Sequence, residues 1–214
     1  MKIFDSIIKI IFPDRCPFCN KIIEKHEICC KTCKETTDEY VAPILGRAGN
    51  YQCVSSFPYD SIFKKTIVNF KFYSKPYYSE KLSYFLKDSL EKGYSDMNFD
   101  IITYVPMHKK DLKKRGYNQS ELLAKKLSKL TGIKCTNVLN KIKRTPSQHT
   151  LKFDERIINL NGAFKLVDSS LIHQKSILII DDVVTSGSTL SSCCKEMSKA
   201  NPKAICCLTL TKAY

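Results

Sequence analysis

The chain of 214 residues carries 35 lysines and arginines against 21 acids, for a formal net charge of +14, with 43% hydrophobic residues and 11 cysteines. That length accommodates one or two domains with a real core, the ordinary apolar fraction marks a globular chain, and the apolar runs are too short to span a bilayer. The positive excess favours anionic partners such as nucleotides or nucleic acid, although lysine far outnumbers arginine and a solvated lysine-rich surface reads the same way.

The first stretch, MKIFDSIIKIIFPDRC, has no polar region with a small-residue cleavage site and does not read as a signal peptide. The thiols are therefore expected to be reduced. Ile3, Phe4, Ile7, Ile8 and Ile11 fall on a helical period, which predicts a packing helix, with transient membrane contact as a lesser use. Cys16-Pro-Phe-Cys19 and Cys30-Lys-Thr-Cys33 follow. Each CxxC turn points two thiolates at one centre, and two such turns close a tetrahedral site that suits Zn²⁺. Cys29 adjoins Cys30 and is an alternative third ligand, and His26 is a weaker one. So small a segment cannot fold on apolar burial alone, whereas structural zinc supplies about 10–16 kcal/mol of apparent binding energy. Residues 1–40 thus read as an N-terminal helix and zinc ribbon, and residues 50–214 as a second domain. Thr36–Asn50, with Pro43, Gly46 and Gly49, reads as a hinge or linker.

In the second domain the patterning predicts a strand at Tyr51–Phe57 and helices at Asp60–Phe72 and Tyr77–Lys92, the latter stopped by Gly93. The first of these helices interleaves bases with rings. Lys64, Lys65, Phe70, Lys71, Phe72 and the following Tyr73 read either as an amphipathic packing face or as a track for a nucleic-acid strand. A strand at Ile101–Pro106 leads into a basic loop holding Lys109, Lys110, Lys113, Lys114 and Arg115, then Gly116, Tyr117, Asn118 and Gln119. That loop reads as an anion site, as a solvated loop with Asn118 as a helix cap, or as a phosphodiester track with Tyr117 stacking on a base. A helix over Ser120–Leu130, a strand over Lys134–Ile142 and a long polar loop over Arg144–Gly162 come next. Long loops inside compact domains are usually functional. Arg144, Gln148, His149, Arg156 and Asn159 would sit over a site if this loop acts as a hood. Strands at Ala163–Val167, Ser176–Asp181 and Ala204–Thr211, with a helix at Gly187–Lys199, complete an alternation that implies a parallel α/β sheet. Cys53, Cys135, Cys193, Cys194, Cys206 and Cys207 lack ligand spacing and read as small core residues.

The stretch Ile177–Thr189, ILIIDDVVTSGST, carries the most information. Four apolar residues suggest a strand buried on both faces. Thr185, Ser186, Gly187, Ser188 and Thr189 offer hydroxyls and backbone N–H groups where a helix begins, a natural seat for an anion. Asp181 and Asp182 would repel phosphate, so sugar hydroxyls or a hard cation such as Mg²⁺ are their expected partners. A sugar phosphate satisfies both halves.

This stretch resembles the phosphoribosyl-pyrophosphate (PRPP) motif of type I phosphoribosyltransferases. The resemblance implies that the two acids contact the ribose hydroxyls and serve any catalysis, and that the 185–189 loop cradles the 5-phosphate. It also implies that the loop after the first core strand, with Lys109 and Arg115, binds the pyrophosphate. With FPDRCPFC, ICCKTC, IVNFKF, VPMHKKDLKKRGYNQ and RTPSQHTLKFDERIINLNGAF, the chain as a whole resembles the ComF family, which pairs a zinc ribbon with a phosphoribosyltransferase-like domain. The fold implied is an α/β, parallel-sheet type I domain with a small N-terminal ribbon. The implied cofactors are structural Zn²⁺ and Mg²⁺ with PRPP. The implied role is in natural competence: import of single-stranded DNA beside a DNA-translocating ATPase, in the cytoplasm or peripherally at the inner face of the membrane. The other reading is an active phosphoribosyltransferase with an unspecified acceptor. Purine-salvage relatives often carry an acid where Thr185 stands, and family members often carry a glycine near Tyr73-Ser74-Lys75; this chain has neither.

Overall fold

The computed structural model describes residues 13–73, 75–144 and 160–214. Its centre is a six-stranded sheet in the order β1-β2-β8-β7-β3-β4, formed by β1 (Ile44–Ala48), β2 (Tyr51–Pro58), β3 (Ile101–Tyr104), β4 (Lys134–Cys135), β7 (Ser176–Val184) and β8 (Ala204–Lys212). Only the β1–β2 hairpin is antiparallel; β2, β8, β7, β3 and β4 run parallel. A separate two-stranded sheet pairs β5 (Leu139–Lys141) with β6 (Phe164–Leu166).

The patterning of β7 shows why this strand is central. Leu178 and Ile180 enter one apolar cluster, and Ile177 and Ile179 enter the other, on opposite sides of the sheet. A strand with side chains alternating into two cores reads as continuously apolar. One face carries α2 (Ser61–Phe72), α3 (Tyr78–Gly93) and α5 (Gln119–Thr131), through Phe70, Leu82, Leu86, Leu123 and Leu127. The other carries α6 (Ser188–Ser198), through Leu190, Cys193, Cys194 and Met197, with the small sheet beside it.

Several expectations from sequence are altered. Thr36–Asn50 is not an irregular linker: α1 (Lys31–Asp38) reaches into it, and Ile44–Ala48 forms the edge strand β1, paired with β2. The strand expected over Lys134–Ile142 is split, because Cys135 packs on one face of the sheet and Leu139 on the other, so the chain must leave the sheet edge between them. The basic loop is partly helical: α4 (Lys109–Arg115) is capped by His108 Nδ1, which accepts from the Lys110 N–H, and ends at Gly116 with φ of 87°. The strand Ser176–Asp181 extends to Val184, so the acids lie within the strand and not beyond its end.

The ribbon is seated on the α2–α3 face. Phe18 meets Phe57, Phe63 and Phe85 edge-on with centroids 6.2, 5.7 and 5.5 Å away. The Thr66 hydroxyl donates to the Pro17 carbonyl at 3.2 Å, and Asn20 Oδ1 accepts from the Tyr78 hydroxyl at 3.0 Å. With Phe18 3% exposed in the shared core, Phe18→Ala is expected to cost the whole chain about 3–5 kcal/mol in denaturant unfolding. A cost below about 1 kcal/mol would mean that the ribbon rests on the surface without contributing to the core.

Candidate functional site

The C-terminal ends of β2, β3, β7 and β8 lie along one edge of the parallel sheet, where open α/β sheets bind ligands. A cavity of about 270 Å³ opens there. Asp181, Asp182, Thr185 and Thr189 line it, together with Lys71 from α2, Arg115 from the end of α4, Asn118–Ser120 from the start of α5, Lys141 from β5, and Tyr59.

Charge compensation defines the floor of this cavity. Asp181 Oδ1 accepts from the Ser120 hydroxyl at 2.8 Å and from the Asp182 backbone N–H at 2.9 Å. Burial and the neighbouring charge of Asp182 push the Asp181 carboxyl up to about 7, against the opposing pull of Lys71 and these two hydrogen bonds. Asp182 is 4% exposed and is paired through Oδ1 with Lys71 Nζ at 3.0 Å. Its Oδ2 and Gln119 Nε2 are two of the three buried side-chain polar atoms without a partner among the described residues. Both belong to residues that line the cavity, one an acceptor and one a donor, but both atoms are closed to solvent, so they can be satisfied only if a neighbouring group moves.

The loop after β7 is built around Gly187. Its φ of 72° is left-handed, and a Cβ there would lie 2.9 Å from the Ala48 backbone, so only glycine lets the loop pass this close to the β1–β2 hairpin. Gly187 caps α6 without any side-chain cap bond, and the Ser186 and Ser188 hydroxyls pair with each other at 3.0 Å. The Ser188 N–H donates to Ser186 Oγ at 3.4 Å, so the start of α6 is held by its own hydroxyls beside the cavity, where the positive end of a helix favours an anion. Asn118 is a structural cap: its Oδ1 accepts from the Ser120 N–H at 3.1 Å and its Nδ2 donates to the Val105 carbonyl at 3.0 Å, tying the start of α5 to the end of β3.

The expected site residues separate by position. Asp181, Asp182, Thr185, Thr189 and Arg115 line the cavity, with Ser186, Gly187 and Ser188 completing the loop beside it. Lys109 is exposed at the start of α4 and is not among the lining residues. Arg144 pairs with Asp111 of α4 at 3.0 Å. Gln148, His149, Arg156 and Asn159 lie outside the described residues. Tyr117 is not free to stack on a base, because its hydroxyl donates to the Phe70 carbonyl and its ring packs on Phe70. Sequence reasoning missed Lys141, whose ammonium burial pushes its pKa down against the charges of Asp111 and Asp181. It also missed Ser120, and it left Lys71 between an amphipathic packing face and a nucleic-acid track. The basic–aromatic spacing of α2 marked Lys71 as notable, but it carried no signal that this lysine turns inward.

In the ribbon, the thiols of Cys16, Cys19, Cys30 and Cys33 lie within 4.8 Å of one another, and Cys19 and Cys30 are 3.5 Å apart. Tetrahedral zinc with Zn–S bonds near 2.3 Å requires sulfurs about 3.8 Å apart, so the four thiols fit the metal with little adjustment. Cys29 and His26 are not in this group. Desolvation raises the Cys16 and Cys33 thiols, whereas Cys30 is lowered in spite of desolvation by bonds from the Cys33 backbone and the neighbouring thiols. Such a cluster requires a cation before all four can ionise.

A phosphoribosyl transferase domain model matches residues 112–213, and a double zinc ribbon domain model matches residues 7–54. Competence protein F of Haemophilus influenzae is 33% identical over 108 residues, covering 50% of this chain and 47% of that protein. Competence protein ComFC of Bacillus subtilis is 27% identical over 201 residues, covering 91% of this chain and 77% of the relative. DNA utilization protein YhgH of Escherichia coli K12 is 34% identical over 93 residues, covering 43% of this chain and 40% of that protein. The chain thus spans less than half the length of the first and third of these curated relatives. The matched domains, the parallel α/β sheet and the cysteine cluster together make this a type I phosphoribosyltransferase fold with an N-terminal zinc ribbon, and they support structural Zn²⁺.

Cys30→Ser is expected to lose most of the bound zinc in a colorimetric release assay while Cys29→Ser keeps it; the reverse result would exchange the third ligand. For Asp181, the folded carboxyl holds its proton where the unfolded one, with a value of 3.8, has released it. Its stabilising contribution is therefore present below about pH 4 and lost as pH rises through about 7. The melting temperature of the protein is expected to fall between about pH 4 and pH 7, and Asp181→Asn to flatten that slope. An unchanged slope in the variant would show that Asp181 is ionised throughout.

Proposed function

We propose, from the matched domains and the competence-protein relatives, that this chain is a ComF-family competence protein that binds PRPP or a related ribose phosphate and handles single-stranded DNA during import. The observation that carries the reading is the convergence, in one cavity, of two carboxylates, a hydroxyl-rich helix start and three cations, Lys71, Arg115 and Lys141. A free phosphate needs no carboxylates, and a neutral sugar needs no cations. A ribose bearing phosphates at both ends uses all three. Its 5-phosphate would take the 185–189 loop, its hydroxyls Asp181 and Asp182, and its diphosphate the side of Arg115 and Lys141, with Lys71 offsetting the acids. Mg²⁺ arriving with PRPP would neutralise the diphosphate, and the unpartnered Asp182 Oδ2 and the raised Asp181 carboxyl suit a site that gains donors and positive charge on binding.

For DNA, the favoured surface is the end of α2 and the residues just beyond it. Phe72, Tyr73 and Tyr77 are 60%, 64% and 50% exposed, and the Arg115 guanidinium lies 5.0 Å from the Phe72 ring centroid. Exposed rings beside cations stack bases without reading sequence. Phe70 is fully buried and Lys71 is held by Asp182, so neither belongs to this surface as it stands. Among the described residues no helix is long and apolar enough to cross a membrane. Residence in the cytoplasm, a docked translocating ATPase and peripheral membrane contact are parts of the same proposal. An active Mg²⁺-dependent phosphoribosyltransferase is the second reading, favoured by the three cations placed to receive a leaving diphosphate.

The test is anisotropy of a labelled single-stranded oligonucleotide at physiological salt, with and without Mg²⁺–PRPP, on zinc-loaded protein. Saturable, salt-sensitive binding is expected, and replacing both Phe72 and Tyr73 by Ala is expected to weaken it by roughly 10-fold or more. No binding at micromolar protein would remove the DNA reading, and pyrophosphate release in a screen of acceptor bases would then establish the second.

A further inference from the structure

We propose that Lys71 is a latch on the sugar-recognising acid: ligand engagement moves its ammonium off Asp182, and the movement passes through the last turn of α2 to the exposed rings of Phe72 and Tyr73. The inference rests on the reading of the cavity as a ribose-phosphate site.

Asp182 as it stands has no oxygen ready to meet a hydroxyl. Oδ1 is held by Lys71 at 3.0 Å, and Oδ2 is closed to solvent and has no partner among the described residues. Asp181 Oδ1 already accepts from Ser120 and from the Asp182 N–H. A sugar that takes Asp182 must therefore displace the group covering it, and the contact there is the Lys71 ammonium, itself a lining residue with 23% of its side chain exposed. The exchange is feasible. A buried ion pair gains little net energy over its desolvation, and the Lys71 ammonium, whose side chain is already 23% exposed, turns out to solvent when a sugar hydroxyl takes its place on Asp182.

The coupling to the surface comes from where Lys71 sits. It is the penultimate residue of α2, directly before Phe72, and the helix closes at Tyr73, whose N–H donates to the Asn69 carbonyl. Arg115, the cation over the Phe72 ring, also lines the cavity and donates to Gln119 Oε1 at 2.9 Å. Lys71 and Arg115 thus each have one end in the cavity and a neighbour in the ring surface. A bound ligand that releases Lys71 or recruits Arg115 changes what supports Phe72. Lys71 is in this sense a positioning residue that couples occupancy of the cavity to the surface offered to a strand.

The test labels lysine amines by reductive methylation, with and without Mg²⁺–PRPP, and reads Lys71 by mass spectrometry against the exposed Lys64 and Lys65. PRPP binding is followed in parallel by calorimetry. Labelling of Lys71 is expected to rise at least about threefold on binding while the two references stay constant. The chain has no tryptophan, so Tyr73→Trp supplies a lone indole, excited selectively above the tyrosine band, next to the latch. Its emission is expected to shift with PRPP, and to stop shifting when Lys71→Met is added. Protection of Lys71 on binding would make it a ligand contact and overturn the latch, as would unchanged labelling despite binding heat, or a shift that survives Lys71→Met. Absence of binding heat would instead remove the ribose-phosphate reading on which the latch stands.

Discussion

Two adjacent carboxylates within the last half of a strand buried on both faces set the terms for the surrounding structure. Like charges at neighbouring positions in a partly desolvated site cannot both ionise freely. The fold answers from three directions. Ser120, placed by the Asn118 cap at the start of α5, donates to Asp181, the Asp182 backbone N–H donates to the same oxygen, and Lys71 from α2 neutralises Asp182. The helices on this face of the sheet thus do more than cover β7: α2 and α5 carry the groups that allow it to end in charge. The raised Asp181 carboxyl marks the imbalance that remains, at the cavity where the proposed sugar hydroxyls and cation would relieve it. Strain of this kind at a site favours binding at the expense of the empty state.

What was legible in the sequence depends on the range over which each signal acts. The pattern of β7 and the composition of the 185–189 loop are local, and both are realised in place, because a doubly buried strand has to be apolar and a left-handed turn against Ala48 has to be glycine. The two CxxC turns are equally local. Position along the chain, however, could not decide between Cys29 and Cys30; the three-dimensional grouping does, with Cys29 outside it. The basic segment 109–115 was legible as charge but not as helix, since its His108 cap is an uncommon one and its Gly116 stop also reads as a loop residue. Lys71, Lys141 and Tyr59 come to the cavity from elements far apart in sequence, and no spacing rule connects them. Tyr117 illustrates the opposite error: a ring beside basic residues suggested stacking on a base, whereas its hydroxyl is spent on the Phe70 carbonyl.

The ribbon belongs to the same argument, because it touches the helix that carries Lys71. Phe63 of α2 stacks on Phe57 at 4.2 Å and meets Phe18 of the ribbon edge-on, and Thr66 of α2 donates to the Pro17 carbonyl inside the first CxxC. Tyr117 holds the far end of the same helix through Phe70. Between these two fixings lies one helical span, from Ser61 to Phe72, with its last turn at the cavity. Helices transmit displacement as nearly rigid rods, so the seating of α2 on the ribbon helps to decide where the Lys71 ammonium falls relative to Asp182. A zinc site that fixes Pro17 and Phe18 therefore does more than hold a small module together. It fixes the base of the helix whose tip closes the acid, which gives a physical reason for ribbon and transferase fold to share one core instead of being joined by a free linker.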